Sequence, residues 1–276
     1  MNLLNEISLV DYMNLVRQVR EITGVDLGEF ATASLRRRLT RCIQLHNFRF
    51  PDMLVTRIRE DPLFTDTFFA DLMVESTEFF RDPGMWLLLR ETLLPELISK
   101  KGNIKIWVPS CVSGDELYSL IILLHEMEVL SNVRILATCP SQKNLEHVLS
   151  GITRRDKIVS SNENYLLAGG KNQLTDYFTS KGILYYKTLP MDSHVDFDVS
   201  FLPSEKKLSA SFDLILFRNQ LLYFGKHLQN LTLSFFHQNL HQGGILVIGH
   251  KEQIDLSFFA ENYLIVNAEE KIYRKK

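Results

Sequence analysis

Two stretches decide the fold: "IKIWVPSCVSGDELYS" (residues 104–119) and "FDLILFRNQLLYF" (residues 212–224). Each opens as an apolar, strand-forming run and passes directly into polar or charged residues. In an open α/β sheet, ligands sit in the crevice beyond the carboxyl ends of the strands. Ser113, Gly114, Asp115 and Glu116 then line one lip of that crevice, and Arg218, Asn219 and Tyr223 line another. A charged, hydroxyl-bearing rim on an apolar sheet suits a small-molecule or catalytic site.

The same alternation extends outward. Strand 104–108 leads to helix 115–130, strand 133–138 to helix 141–150, and strand 212–217 to helix 226–241. "GGILVIGH" (243–250) reads as another strand, and "YLIVNA" with "KIYRKK" as a closing hairpin. This pattern predicts an α/β fold with a doubly wound, mostly parallel sheet. In segment 171–202, "ILYYKTLP" and "HVDFDVSFL" alternate with period two, which predicts a small antiparallel β excursion or one extra sheet strand. The first eighty residues carry no strand signal. Ser8 and Gly24 bracket a helix over 8–23, a second runs over 29–46, and Pro51 and Pro62 open helices over 51–60 and 62–74. A long helix follows from Pro83 to Lys100. The expected division is an all-helical domain over 1–80 and an α/β domain over 81–276.

Composition narrows the function. A formal net charge of -2 over 276 residues excludes a general polyanion binder. The arginine run in "SLRRRLTR" (34–41) lacks the aromatic interleaving of nucleic-acid binders, so no nucleic-acid partner is expected. Arg37 and Arg41 are one helical turn apart with Arg38 beside them, which reads either as a solvated face or as a patch for an acidic helix. Cys42, Cys111 and Cys139 are widely spaced, with no CxxC, and fit a reducing cytoplasm. The histidines show no metal-ligand pattern, and no metal is expected. No apolar run reaches the roughly 18–20 residues of a membrane span, and the N-terminus is unlike a signal peptide, so the expected location is cytoplasmic without membrane insertion.

Each motif has a plain reading beside a chemical one. In "SGDE", Glu116 at a helix start can engage a cationic amino group, or it can simply complement the helix dipole while Ser113 caps. Arg218 and Asn219 at a strand's carboxyl end read as ligand-facing, whereas Tyr223 between Leu222 and Phe224 also suits a core position. "STEFFRDP" (76–83) reads as a helix cap with a hydrophobic anchor.

Taken in order, "TEFFRD", "W…C.SGDE.YS", "RILAT", "FDLILFRNQLLYF" and "GGILVIGHKE" resemble the chemotaxis receptor methyltransferase (CheR) family along nearly the whole chain. The resemblance implies methyl transfer from S-adenosylmethionine to glutamate side chains of chemoreceptor helices, leaving S-adenosylhomocysteine. It implies that Thr77 and Arg81 lie beside the cofactor's methionine end, with Ser113 and Gly114 in the turn beneath it. Glu116 would receive the cofactor's amino group. Arg218, with its neighbour Asn219, and Tyr223 would stand near the transferred methyl and the substrate carboxylate. Arg37, Arg38 and Arg41 match a basic helix that docks on acidic receptor helices. Segment 171–202 falls where the family inserts a β-subdomain that some members use to hold a receptor tether.

The chain also departs from that pattern. "ATCP" replaces "ATD", so Cys139 stands where an acid would bridge the cofactor's ribose hydroxyls. Each charge-assisted hydrogen bond lost there is worth about 1.5–3 kcal/mol. Phe201 stands where an asparagine near the adenine is usual, Leu117 replaces a proline and Thr153 a tyrosine. Ser141, Gln142 and Asn144 are the polar residues placed to compensate. Two functions follow as expectations: a protein-glutamate O-methyltransferase, or a cofactor-free relative that docks on a receptor or signalling protein.

Overall fold

The computed structural model of the chain describes residues 6–73, 78–190, 193–201, 211–254 and 260–276. They fall into two compact units, Met1–Val74 with Gln220–Thr232, and Glu75–Asn219 with Leu233–Lys276.

The first unit is helical, and its helices begin and end where local chemistry directs. Helix α1 (Leu9–Thr23) starts where Ser8 Oγ accepts from the Asp11 amide, and it stops at Gly24, whose φ of 76° places it in the left-handed region. Helices α2 (Thr32–Leu45), α3 (Pro51–Glu60) and α4 (Pro62–Leu72) follow, the last two opening on proline. The Asp61 carboxylate caps α4 through the amides of Leu63 and Phe64. Leu15, Val19, Leu35, Leu39, Leu54 and Phe68 form the inner face. Residues 220–232 complete this unit from far along the chain. Ala31 N donates to Tyr223 O, Gly225 N donates to Glu29 O, and Phe30 meets the Phe224 ring edge-on.

The second unit is the expected α/β layer. The helix predicted from Pro83 to Lys100 is α5 (Pro83–Leu88) and α6 (Leu94–Lys101) joined by a wide π-turn over Leu89–Leu93. Pro95 accounts for the turn: it has no N–H to give, and widening the helix relieves the clash of its ring with the carbonyl one turn back. The strands are β1 (Ile104–Val108), β2 (Val133–Cys139), β3 (Ile152–Arg154), β4 (Phe178–Lys181), β5 (Leu184–Lys187), β6 (Val195–Val199), β7 (Phe212–Phe217), β8 (Leu240–Ile248), β9 (Tyr263–Asn267) and β10 (Ile272–Lys275). Between them run α7 (Asp115–Glu126), α8 (Gln142–Ser150), α9 (Arg155–Ser160), α10 (Asn162–Leu167) and α11 (Lys226–Asn239), whose first residues, up to Thr232, belong to the first unit.

The large sheet has the order β6-β2-β1-β7-β8-β10-β9, parallel through β8 and antiparallel in its last two strands. The chain winds from β1 to β2 on one side, then returns to place β7 on the other side of β1. The carboxyl ends of β1 and β7 therefore flank the topological switch point, where such sheets open a crevice. Segment 171–202 supplies both an antiparallel excursion and an extra sheet strand. β4 and β5 join β3 in a separate antiparallel sheet, whereas β6 is the outermost strand of the large one. Strand β8 begins at Leu240, before the Gly-Gly pair, and the left-handed Gly243 (φ 77°) is absorbed within it where the register against β7 shifts. The short elements β3, α9 and α10 have too few apolar residues in period to be read from the sequence. Among the described residues no helix is long and apolar enough to cross a membrane.

Candidate active site

The two stretches that opened the sequence reading meet. Strand β1 ends in a turn in which Ser110 (φ 56°) and Gly114 (φ 77°) take left-handed conformations, and Gly114 is the cap of α7. Glu116 occupies the first turn of that helix. Arg218 follows β7 directly and is buried, with 5% of its surface exposed. Its Nη1 donates to Glu116 Oε1 at 3.0 Å, and its Nη2 donates to the Arg81 carbonyl at 2.9 Å and to Asp82 Oδ2 at 2.5 Å.

The "FFRD" segment is held for this purpose. Phe79 and Phe80 are fully buried, and their amides donate to Ser161 Oγ and Ser119 Oγ. Phe80 (φ 50°) and Asp82 (φ 55°) both lie in the left-handed region, which non-glycine residues occupy at a cost of about 1–3 kcal/mol each. The aromatic anchors and Arg218 offset that cost, and the result turns the Asp82 carboxylate and the Arg81 carbonyl to the same guanidinium. Arg81 therefore contributes its backbone oxygen to this cluster. Thr77, also expected here, lies outside the described residues.

Glu252 completes the cluster and was not singled out in the sequence. It is buried, with 3% exposed, and accepts from the amides of Asn219 (3.0 Å) and Gly249 (2.6 Å). Asn219 has a φ of 60°, and Gly249 packs so closely on it that a Cβ there would lie 2.8 Å from Asn219 N and Oδ1. Replacing Gly249 by alanine forces Asn219 to move. The expected result is a stability loss of about 1–3 kcal/mol, measured by urea unfolding, with weakened cofactor binding. The signal for Glu252 was present in "GHKE", but an acid two residues past a strand reads as a solvated loop.

Burial pushes the Glu116 carboxyl above the ordinary glutamate range; Arg218 pulls it down, and Glu252 and Asp82 push it up again. Two carboxylates on one guanidinium, with Glu252 near enough to act on Glu116, make a cradle with an excess of negative charge. Arg218 Nε has no hydrogen-bond acceptor among the described residues. Such a site fits a ligand that is cationic overall and carries both an amino and a carboxylate group.

The next turn is differently built. Ser113 Oγ donates to Asp115 Oδ2 at 2.9 Å, and Asp115 is paired with Lys157 at 2.5 Å. Asp115 is therefore spent within the fold, and burial raises its carboxyl while Lys157 opposes the rise. Cys139, at the end of β2, is fully buried. Cys111 N donates to Thr138 O at 2.8 Å, and the Cys111 thiol shares a hydrogen bond with Cys139. That bond and burial push the Cys111 thiol well above its ordinary range. The Cys111 thiol is thus neutral, and β2 ends in Cys139 where an acid was expected. Ser141 and Asn144 do not supply one: they cap α8 reciprocally, Ser141 Oγ accepting from Asn144 N and donating to Asn144 Oδ1. Gln142 lies on the exposed side, donating to Glu146. Phe201, two residues beyond β6, is half-buried.

Lys187 was also unforeseen. Its ammonium lies 3.0 Å from the position a Gly114 Cβ would take and 5.1 Å from the Tyr118 ring centroid. Burial lowers its affinity for a proton, while Asp115 and Cys111 raise it. On an alternating strand such as "LYYK", a lysine reads as solvent-facing, so the sequence carried no warning of it.

The remaining expected residues lie in the first unit. Arg37 and Arg41 are exposed on α2, but Arg38 is not on their face. Its guanidinium stacks 4.1 Å over the Tyr223 ring, and its Nη1 donates to Leu72 O. Burial lowers Arg38 to about 10. Arg38 is therefore the partner of Tyr223, and the solvent-facing basic patch of α2 reduces to Arg37 and Arg41.

Residues 75–265 match the family described as CheR methyltransferase, SAM binding domain. The chain belongs to the CheR methyltransferase family. It is 31% identical over 253 residues to Cher3 of Pseudomonas putida, named as a methyltransferase, covering 91% of each chain. It is 26% identical over 245 residues to a chemotaxis protein methyltransferase of Listeria innocua, covering 88% of this chain and 90% of that one. A third relative, chemotaxis protein methyltransferase 1 of Pseudomonas aeruginosa, is 28% identical over 246 residues, covering 84% and 86%. The cofactor of this CheR domain is S-adenosylmethionine, and the acidic cradle at Arg218 suits its amino-acid end. At the end of β2 the thiol of Cys139 faces Cys111.

Proposed function

We propose that this CheR protein methylates glutamate side chains on the cytoplasmic helices of a chemoreceptor, forming methyl esters. The observation that carries the reading is the convergence of Glu116, Asp82 and the Arg81 carbonyl on Arg218 at the switch point of the sheet. Bound S-adenosylmethionine supplies a methyl group already activated on a sulfonium.

The protein's part is then positioning rather than proton transfer, since a carboxylate is a nucleophile at neutral pH and needs no general base. Glu116 holds an ammonium by charge and hydrogen bonding. Arg218 shares its guanidinium among acceptors, so an incoming carboxylate is oriented without being fully neutralised. The phenylalanines of "FFRD" exclude water from the back of the cluster. Glu116 and Arg218 would hold the cofactor's amino-acid end, and the bound cofactor would supply the methyl group that esterifies the substrate carboxylate.

Arg37 and Arg41 are the exposed cations suited to acidic receptor helices. Reversing both to glutamate is expected to raise KM for a receptor fragment about tenfold, leaving kcat and the affinity for S-adenosylhomocysteine unchanged. The decisive experiment combines calorimetric titration of S-adenosylhomocysteine with transfer of labelled methyl to a receptor cytoplasmic fragment. Binding together with base-labile label on glutamate is the expected result. Absence of binding at millimolar ligand, with intact docking on the fragment, would instead favour a cofactor-free docking protein.

A further inference from the structure

Away from the methyltransferase cradle, the first unit brings together a cysteine, a histidine and an aspartate. Cys42 and His46 are four residues apart at the end of α2, so they share a helix face. Asp71 reaches them from the last turn of α4. His46 Nε2 lies 2.8 Å from Asp71 Oδ2, and one ligand-type atom from each of the three residues falls within 4.8 Å of the others. Cys42 is 1% exposed. The His46 ring is held between Phe64, edge-on at 4.8 Å, and Phe48 at 5.9 Å.

We propose that Cys42, His46 and Asp71 form a site for a divalent transition metal, zinc by its donor set, with water in the fourth position. Sulfur, nitrogen and oxygen donors together suit a borderline-soft tetrahedral ion. Bonds of about 2.0–2.3 Å around such an ion separate the donor atoms by about 3.3–3.7 Å. The His46–Asp71 pair, at 2.8 Å, opens slightly to reach that spacing, and no two of the three donors start more than 4.8 Å apart. The charges also balance: a thiolate and a carboxylate match the dication, and the imidazole stays neutral. Binding releases the Cys42 thiol proton to solvent as the metal–sulfur bond forms, with no redox change. The ion would clip the end of α2 to the end of α4 and so fix the helix that carries Arg37 and Arg41. Motif scanning missed the site because its ligands are a helical i, i+4 pair and a residue from another helix.

The test uses the full chain, stripped with a chelator and titrated with zinc and, separately, cobalt(II). One equivalent of metal, a rise in melting temperature and a sulfur-to-cobalt charge-transfer band are expected. Cys42→Ser should abolish the band, whereas Cys111→Ala and Cys139→Ala should keep it. Asp71→Asn and His46→Gln should each weaken zinc binding by more than the about 10–100-fold that follows loss of a group behind a ligand. Circular dichroism of each variant separates loss of metal from loss of fold. A wild-type chain without the band or without thermal stabilisation, or a band that survives in Cys42→Ser, overturns the assignment and leaves the three residues as a hydrogen-bonded clip.

Discussion

Replacing Arg218 by alanine is expected to abolish methyl transfer and to destabilise the second unit by about 3–5 kcal/mol, the usual cost of breaking a buried ion pair from one side. The loss is large because Arg218 serves three acceptors at once. Without it, the Glu116 and Asp82 carboxylates and the Arg81 carbonyl face one another in a buried space, and the left-handed backbone at Asp82 loses the partner that fixes it. Glu116 already lies above the ordinary glutamate range because of burial, and Arg218 is the main force drawing it down. In the variant the carboxyl rises further. If Glu116 holds the cofactor's ammonium as proposed, S-adenosylhomocysteine binding should then disappear at a higher pH than in the parent as the solution is acidified. Chemical denaturation and calorimetry across pH measure both effects. A variant that keeps parental stability and the parental pH profile would remove Arg218 from the centre of the site.

Cys139→Asp is expected to act in the opposite direction, tightening S-adenosylhomocysteine by about 10–100-fold. A carboxylate at the end of β2 can accept from two ribose hydroxyls, and each charge-assisted hydrogen bond is worth about 1.5–3 kcal/mol before desolvation is subtracted. The subtraction is substantial because Cys139 is fully buried. It is moderated by Lys187, whose ammonium interacts with Cys111, the neighbour of Cys139. Calorimetry on the paired proteins gives the ratio directly. A folded variant with unchanged or weaker binding would show that the adenosyl portion is held by other groups.

Much of this was legible in the chain because apolar runs and turn chemistry speak locally. "IKIWV" and "FDLILF" declared buried parallel strands, and the polar residues after them declared the crevice. Ser8, Gly24, Pro51 and Pro62 marked helix ends that lie where side-chain and backbone chemistry required. Long-range groups were harder to read. Glu252 acts through two backbone amides that its sequence neighbours do not reveal. Lys187 shares a strand face with the core-packed Tyr185, a placement its residue type does not suggest. Arg38 looked equivalent to Arg37 and Arg41 because helical spacing gives direction but not burial, and the Tyr223 ring and the Leu72 carbonyl distinguish it.

The helical unit has a lasting dependence on residues much later in the chain. Its bonds from Ala31 and Glu29 are closed by Tyr223 and Gly225, so a fragment stopped at Val74 would lack part of its own interior. During synthesis the usual order, in which the leading domain finishes first, is suspended. The opening helices emerge early but must wait, incomplete, until residue 232 has cleared the ribosome.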